Sequence, residues 1–166
     1  MKKTAEDPIK SLIADLTCDN VIKCQNARRQ LVAKGETAVE PLEKALNHKE
    51  HWIHWEAAKA LSEIGSPSAT RVLINTLEHK EFELRWLAAE GLISIGLPAL
   101  KPLLMELIAK PQSTWLHEGA HHVMSDIKIE RLTGVLRPVI RAIEGSQPDV
   151  DTPVAAQKAL EALPRS

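Results

Sequence analysis

The chain repeats itself about every 31 residues, and this period constrains its fold more than any other feature of the sequence. Three segments align at that offset, at residues 54–65, 85–96 and 116–125, and a less regular earlier copy spans residues 26–35. Each segment has apolar residues at helical spacing. A unit this short cannot bury its apolar face alone, so the copies are expected to stack into one continuous core.

A second type of apolar segment alternates with the first type. Its copies share one spacing of apolar residues and begin at Ala38, Ala69, Ala99 and Leu136. Glycines that can stop a helix, at positions 35, 65 and 96, end the first-type segments, and prolines at 67 and 98 are suited to restart one. No alternating apolar run is bounded by hairpin turns. The sequence therefore predicts an all-α chain of helical hairpins.

One domain spanning residues 1–166, with about four and a half repeats, follows from this pattern. The predicted parts are an N-terminal cap at 1–18 with a helix over 8–17, repeats at 19–47, 48–79, 80–110 and 111–145, and a C-terminal capping helix at 150–164. The fourth copy of the second segment is displaced by about five extra residues near 126–131.

Charge and composition narrow the class of protein. Lys and Arg number 21 against 22 Asp and Glu, which argues against a dedicated nucleic-acid binder. Neither a signal-peptide core nor a membrane-length apolar stretch is present, so we expect a cytoplasmic protein that does not act at a membrane. Cys18 and Cys24 are too few for a disulfide framework and are expected to be small buried side chains.

The two segment types resemble HEAT-like repeats of the phycobilisome-lyase type. The pattern V-R-x-x-A-A-x-A-L-G-x-I-G is approximated by residues 53–65 and 84–96, and A-V-x-P-L-x-x-A-L by residues 38–46. The resemblance covers roughly residues 20–145. It implies a short right-handed α–α superhelix whose first-type helices line the concave face. It implies little about function, because scaffolds, lyases, hydroxylases and adaptors share that fold. His54 stands where the family usually has Arg.

Equivalent positions at a period of 31 form columns on the first-type helices, and these columns supply the candidate binding residues. Lys59 is expected to pair with Glu90, which also reaches His121. Trp55 and Trp86 are either packing residues between repeats or an aromatic platform for a ligand, whereas Trp115 is expected in the core. The candidate ligand- or partner-binding residues are Trp55, Glu56, Lys59, Trp86, Glu90, His117, Glu118 and His121.

The segment His-Glu-Gly-Ala-His-His at residues 117–122 is the strongest candidate in the sequence for a metal site. His117 and His121 lie one helical turn apart with Glu118 beside them, a set that would hold a single divalent transition metal. A hydrogen-bonded histidine cluster is the alternative. The match to the H-E-x-x-H motif of zinc proteases lacks a third ligand and an edge strand. His51 and His54 are expected to be exposed histidines at a helix start.

Function is less constrained than fold. Deoxyhypusine hydroxylase, a HEAT-like enzyme with His-Glu pairs on successive repeats, is matched only at His117-Glu118, and no phosphate loop or nucleophile elbow is present. We expect a non-catalytic binding or scaffold module for a protein, peptide or small ligand. The alternative is a metal-binding protein or metal-dependent enzyme centred on residues 117–121. A bilin-lyase-like or chaperone subunit is a third reading, implied by the resemblance alone.

Overall fold

The residues that the structure describes, 8–17 and 19–164, form ten α-helices and no strand. This computed structural model confirms the predicted all-α fold of helical hairpins. Short 3-10 turns at Asp15–Thr17, Pro67–Ala69 and Glu130–Leu132 precede α2, α5 and α9. The helices are α1 (Pro8–Ala14), α2 (Val21–Lys34), α3 (Glu36–Ala45), α4 (His51–Ile64), α5 (Thr70–Thr76), α6 (Phe82–Ile95), α7 (Leu97–Ala109), α8 (Thr114–Asp126), α9 (Thr133–Ile143) and α10 (Pro148–Ala162).

Three glycines end helices where the sequence predicts it. Gly35, Gly65 and Gly96 have φ angles of 56°, 60° and 75°, a region that side chains with a Cβ rarely adopt. Helices α3 and α7 begin directly after Gly35 and Gly96, so a single residue separates the two helices of those hairpins. These tight connections hold α3 against α2 and α7 against α6.

The helices form two layers around a leucine-rich core. In the first layer α2 packs on α4, α4 on α6, and α6 on α8. In the second layer α5 packs on α7, while α3 packs on α4 and on the turn that precedes α5. The largest of the fully buried side chains include the leucines Leu16, Leu31, Leu42, Leu61, Leu73, Leu77, Leu84, Leu92, Leu100, Leu103, Leu104, Leu107 and Leu116.

The C-terminal helix is placed differently from the predicted end cap. Helix α10 packs against both α7 and α9 and so lies between them. It occupies the place beside α7 that a regular fourth repeat would give to α9. The long connection between α8 and α9, which contains the 3-10 turn Glu130–Leu132, sets α9 apart from α7. Ala156 and Ala159 of α10 are buried in the resulting contact.

Helix α1 packs on α2 and α3 at the position predicted for the N-terminal cap, and Leu16 behind it is fully buried. Residues 1–7 and Cys18 of that cap lie outside the described residues. Cys24 is buried, as expected, and it is disulfide-bonded. Among the described helices, none has both the length and the apolar character needed to cross a membrane.

Candidate functional site

Five aromatic side chains follow one another along the first-layer helices and form what we call the aromatic surface: Trp52, Trp55, Phe82, Trp86 and Trp115. Trp55 is half-buried and its ring meets that of Trp52 edge-on, with 6.3 Å between the centroids. The exposed fractions of the other four are 54% for Trp52, 64% for Phe82, 47% for Trp86 and 42% for Trp115. Trp115 is therefore a surface residue and not the core residue that the sequence predicts.

Two cations lie over this aromatic surface. The Lys59 ammonium is 4.8 Å from the centre of the Trp55 ring. The Arg85 guanidinium is 4.9 Å from the Trp115 ring and 5.6 Å from the Phe82 ring, so it joins aromatic side chains of α6 and α8. Cation–π contacts of this kind hold the rings and the cations in place without removing them from solvent.

Glu56 is a structural residue and not the ligand-binding residue that the sequence predicts. Its side chain is 6% exposed, and its Oε2 atom lies 2.7 Å from Arg28 Nη1 on the neighbouring helix α2. Arg28 is itself only 12% exposed and also approaches Glu63, with 3.4 Å between Nε and Oε1. The carboxylate of Glu56 is therefore used to join α2 to α4.

The fourth repeat is offset by one residue from the predicted columns. Helix α6 begins 31 residues after α4, whereas α8 begins 32 residues after α6. Burial gives the same register, because Leu116 and Ala120 are fully buried like Leu84 and Ala88 of α6. One residue turns a helix by about 100°, so the columns that the sequence predicts for α8 are wrong.

The one-residue offset of α8 explains the ion pairs of Glu90 and His121. Glu90 lies 3.2 Å from Nε2 of His122, the residue now equivalent to it, rather than beside His121. His121 instead pairs with Glu144 at 2.8 Å. No ion pair joins Lys59 to Glu90 in the described part of the chain. Both predicted contacts of Glu90 are therefore wrong.

With this offset His117 shares a column with His54 and Arg85, whose side chains reach the end of the preceding second-type helix. Arg85 Nη1 donates to the carbonyl of His79 at 3.0 Å, and His54 Nδ1 donates to that of His48 at 3.2 Å. His117 is 7% exposed, and its Nε2 atom is buried without a hydrogen-bond partner. Burial lowers the pKa of His117 below its ordinary value, although the nearby Asp149 carboxylate opposes the shift.

A cleft of about 450 Å³ contains the predicted metal ligands. His117, Glu118 and His121 line one wall, and Glu144 and Asp149 line the other. Their ligand atoms do not come close enough to hold one ion together: within the described residues, the one group of His, Cys, Asp or Glu ligand atoms that does so is found elsewhere. Metal binding by the predicted trio is thus not supported by the geometry.

That group consists of His51, His54 and Glu81, whose ligand atoms all lie within 4.8 Å of one another. His51 and His54 lie on α4, and Glu81 is the residue that precedes α6. His54 is buried, so the expectation of an exposed histidine is wrong. Burial alone would raise the pKa of the Glu81 carboxyl, but His54, His51 and His79 together lower it below its usual range.

Comparison with models of known protein families gives a match over the centre of the chain. A family model for HEAT repeats matches residues 39–125, just over half of the chain. The chain belongs to the HEAT-repeat family. No curated protein matches it significantly. HEAT repeats are commonly protein-interaction scaffolds, which fits a binding role for this chain.

Sequence reasoning missed most of the aromatic surface and all of the His51 group of this HEAT-repeat protein. A signal for the group was present: the tripeptide His-Lys-Glu occurs at residues 48–50 and again at 79–81, directly before α4 and α6. In both copies the Glu N–H donates to Nδ1 of the His, at 3.1 Å. The repeated turn thereby presents a glutamate at the start of each of these helices.

We expect His117→Leu to reduce the unfolding free energy that this HEAT-repeat protein loses between pH 7 and pH 5. Because the folded-state pKa of His117 is lowered, the unfolded chain takes up its proton first. His117 therefore costs no stability above the unfolded pKa near 6.5 and destabilises the fold as the pH falls below it. Urea unfolding at pH 7 and pH 5 should show a smaller decrease for the variant than for the wild type. His79, whose pKa is also lowered by burial, leaves part of the decrease in place. An equal decrease in both proteins would contradict the assignment.

Proposed function

We propose that this HEAT-repeat protein is a non-catalytic binding module that holds a protein or peptide partner on the aromatic surface. The observation that carries the proposal is the exposure of large aromatic side chains on α4, α6 and α8, three successive first-layer helices. Large aromatic side chains supply much contact area at a small cost in conformational entropy, and Trp is enriched at the energetic centres of interfaces.

The chemistry of this surface favours a partner with apolar or aromatic side chains flanked by carboxylates. The rings offer apolar contact area, while Lys59 and Arg85 place positive charge directly over them. Trp55, Lys59 and Trp86 thus keep the binding role predicted from the sequence, and Trp52, Phe82 and Trp115 are added to it. The phycobilisome-lyase subtype, and the lyase or chaperone role that it implies, remains a prediction from sequence resemblance.

Trp86→Ala tests this proposal. The expected loss is about 2 kcal/mol of binding free energy, or roughly thirtyfold in affinity, if Trp86 lies at the centre of the contact. Immobilised wild-type and variant proteins are compared for the partners that each retains from an extract of the source cells, by quantitative mass spectrometry. Met105→Ala on α7 is the matched control, because Met105 is 54% exposed on the second layer.

Partners retained by the wild type and by Met105→Ala should be depleted with Trp86→Ala. The melting temperature of Trp86→Ala should stay close to that of the wild type, because about half of the side chain is already in solvent. Equal retention on all three proteins, together with a large fall in the melting temperature of Trp86→Ala, would assign Trp86 to packing between repeats and reject the proposal.

A further inference from the structure

Three ligand atoms from two successive repeats meet at the His51 group. His54 Nε2 lies 3.1 Å from His51 Nδ1 and 3.1 Å from Glu81 Oε2, and His51 Nδ1 lies 3.3 Å from the same oxygen. The three atoms therefore form a nearly equilateral triangle. Two imidazole nitrogens and one carboxylate oxygen are a common set of protein ligands for zinc.

The size of the triangle fits a tetrahedral ion. Ligand bonds of about 2.0–2.1 Å in a tetrahedral site place the ligand atoms about 3.3–3.4 Å apart. The observed separations of 3.1–3.3 Å are within a few tenths of an ångström of that value. At that bond length an ion equidistant from the three atoms would lie just outside their plane, as it does in a tetrahedral site.

The proton on His54 is placed as a metal ligand requires. Its Nδ1 atom is 3.2 Å from the carbonyl oxygen of His48, which can only accept, so Nδ1 carries a hydrogen. In the neutral ring the lone pair is then on Nε2, the atom that faces His51 and Glu81. A hydrogen bond from the second ring nitrogen to a backbone carbonyl is the usual way in which proteins orient a metal-binding histidine.

Regular structure holds all three residues in position. His51 and His54 are separated by three residues on α4 and so share one face of that helix. The backbone N–H of Glu81 donates to His79 Nδ1, which fixes the turn that presents the carboxylate. The His51 side chain is 56% exposed, so one side of the triangle is open to solvent.

We propose that His51, His54 and Glu81 bind one divalent transition metal ion of the zinc class, with a fourth position open to water. Imidazole nitrogens with a carboxylate suit zinc, nickel and copper better than magnesium or calcium, which prefer oxygen ligands alone. The ion would link α4 to the start of α6. The proposal does not depend on partner binding by the aromatic surface.

Calorimetric titration of the full-length, tag-free protein with zinc chloride tests the site. We expect one ion per chain with a Kd below about 10 μM. His51→Ala and Glu81→Gln should each weaken binding by at least about tenfold, since even residues that only support a ligand cost that much when lost. Both residues are partly exposed, so each variant is expected to fold.

His121→Ala is the matched control, because it removes a histidine that is also paired with a glutamate, Glu144, but lies outside the triangle. Its zinc affinity should equal that of the wild type. A thermal scan gives a second reading: zinc should raise the melting temperature of the wild type and of His121→Ala, and should not raise that of His51→Ala.

The proposal is rejected by either of two results. If zinc binds more weakly than about 10 μM, the three residues form only a histidine–glutamate ion pair. If binding survives both His51→Ala and Glu81→Gln but is lost with His121→Ala, the ion is held in the cleft lined by His117, Glu118 and His121.

Discussion

Glu56→Leu should lower the free energy of unfolding by about 3–5 kcal/mol, the range found when one member of a buried ion pair is removed. The Arg28 guanidinium would stay between α2 and α4, where it is 12% exposed, and would lose its contact of 2.7 Å with Glu56. Desolvation of that cation would then be offset only by the longer contact with Glu63. Urea unfolding at pH 7, followed by circular dichroism, measures the change.

Glu63→Leu is the matched control, since it makes the same substitution on the same helix and removes a contact with the same arginine. The Glu63 side chain is 38% exposed, so its loss should cost less than about 1 kcal/mol. Replacing both members, as Arg28→Met with Glu56→Leu, should recover much of the loss, because apolar side chains can substitute for a buried pair. If Glu56→Leu and Glu63→Leu lower the free energy of unfolding equally, burial does not distinguish the two ion pairs. Glu56 would then again be a candidate binding residue.

Leu73→Ala should cost about 2–5 kcal/mol of unfolding free energy, because it opens a cavity between the two layers. Leu73 on α5 is 1% exposed. A Cβ atom placed on Gly91 of α6 would lie 2.9 Å from Leu73 Cδ1 and 2.9 Å from the Ser62 Cα atom of α4. The glycine therefore lets three helices meet at the leucine, and little freedom remains for them to close over a missing side chain.

The same unfolding experiment tests Leu73→Ala, with Met105→Ala as the control for a large apolar side chain on the second layer. Met105 is 54% exposed, so its truncation should change stability by less than about 0.5 kcal/mol. A lower midpoint with an unchanged slope would show that the variant loses stability and keeps a compact fold. If Leu73→Ala unfolds at the same urea concentration as Met105→Ala, position 73 does not belong to the core.

The positions of the first-layer helices are predictable from the repeat period only as far as α6. A period of 31 aligns α4 with α6 correctly, and it predicts the buried apolar positions of both. The same period fails at α8, because the stretch between α6 and α8, residues 96–113, is one residue longer than the stretch between α4 and α6, residues 65–81. A comparison of repeats at a fixed period cannot detect that residue. That one residue rotates α8 by about 100° relative to the predicted register. His117, which was expected to be accessible, is therefore buried.

The aromatic surface was only partly predictable for a related reason. Trp55 and Trp86 align at the repeat period, so their shared position is visible in the sequence. Trp115 aligns with buried Leu84 at 31 residues and was expected in the core for that reason, although it is 42% exposed. Its contact with Arg85 depends on how α6 and α8 lie against each other. Neither helix alone contains that information.

By itself, the sequence determined the helical hairpins, the positions of the helix-ending glycines and the leucine core, because each depends on the chemistry and spacing of residues that are neighbours along the chain. Only the tertiary structure decided which polar side chains meet. Glu56 reaches Arg28 across α2 and α4, and Glu81 reaches His54 from the start of the next repeat. Such contacts depend on distances of a few ångströms between separate helices, and these are set by loop length and packing rather than by the period of the repeat.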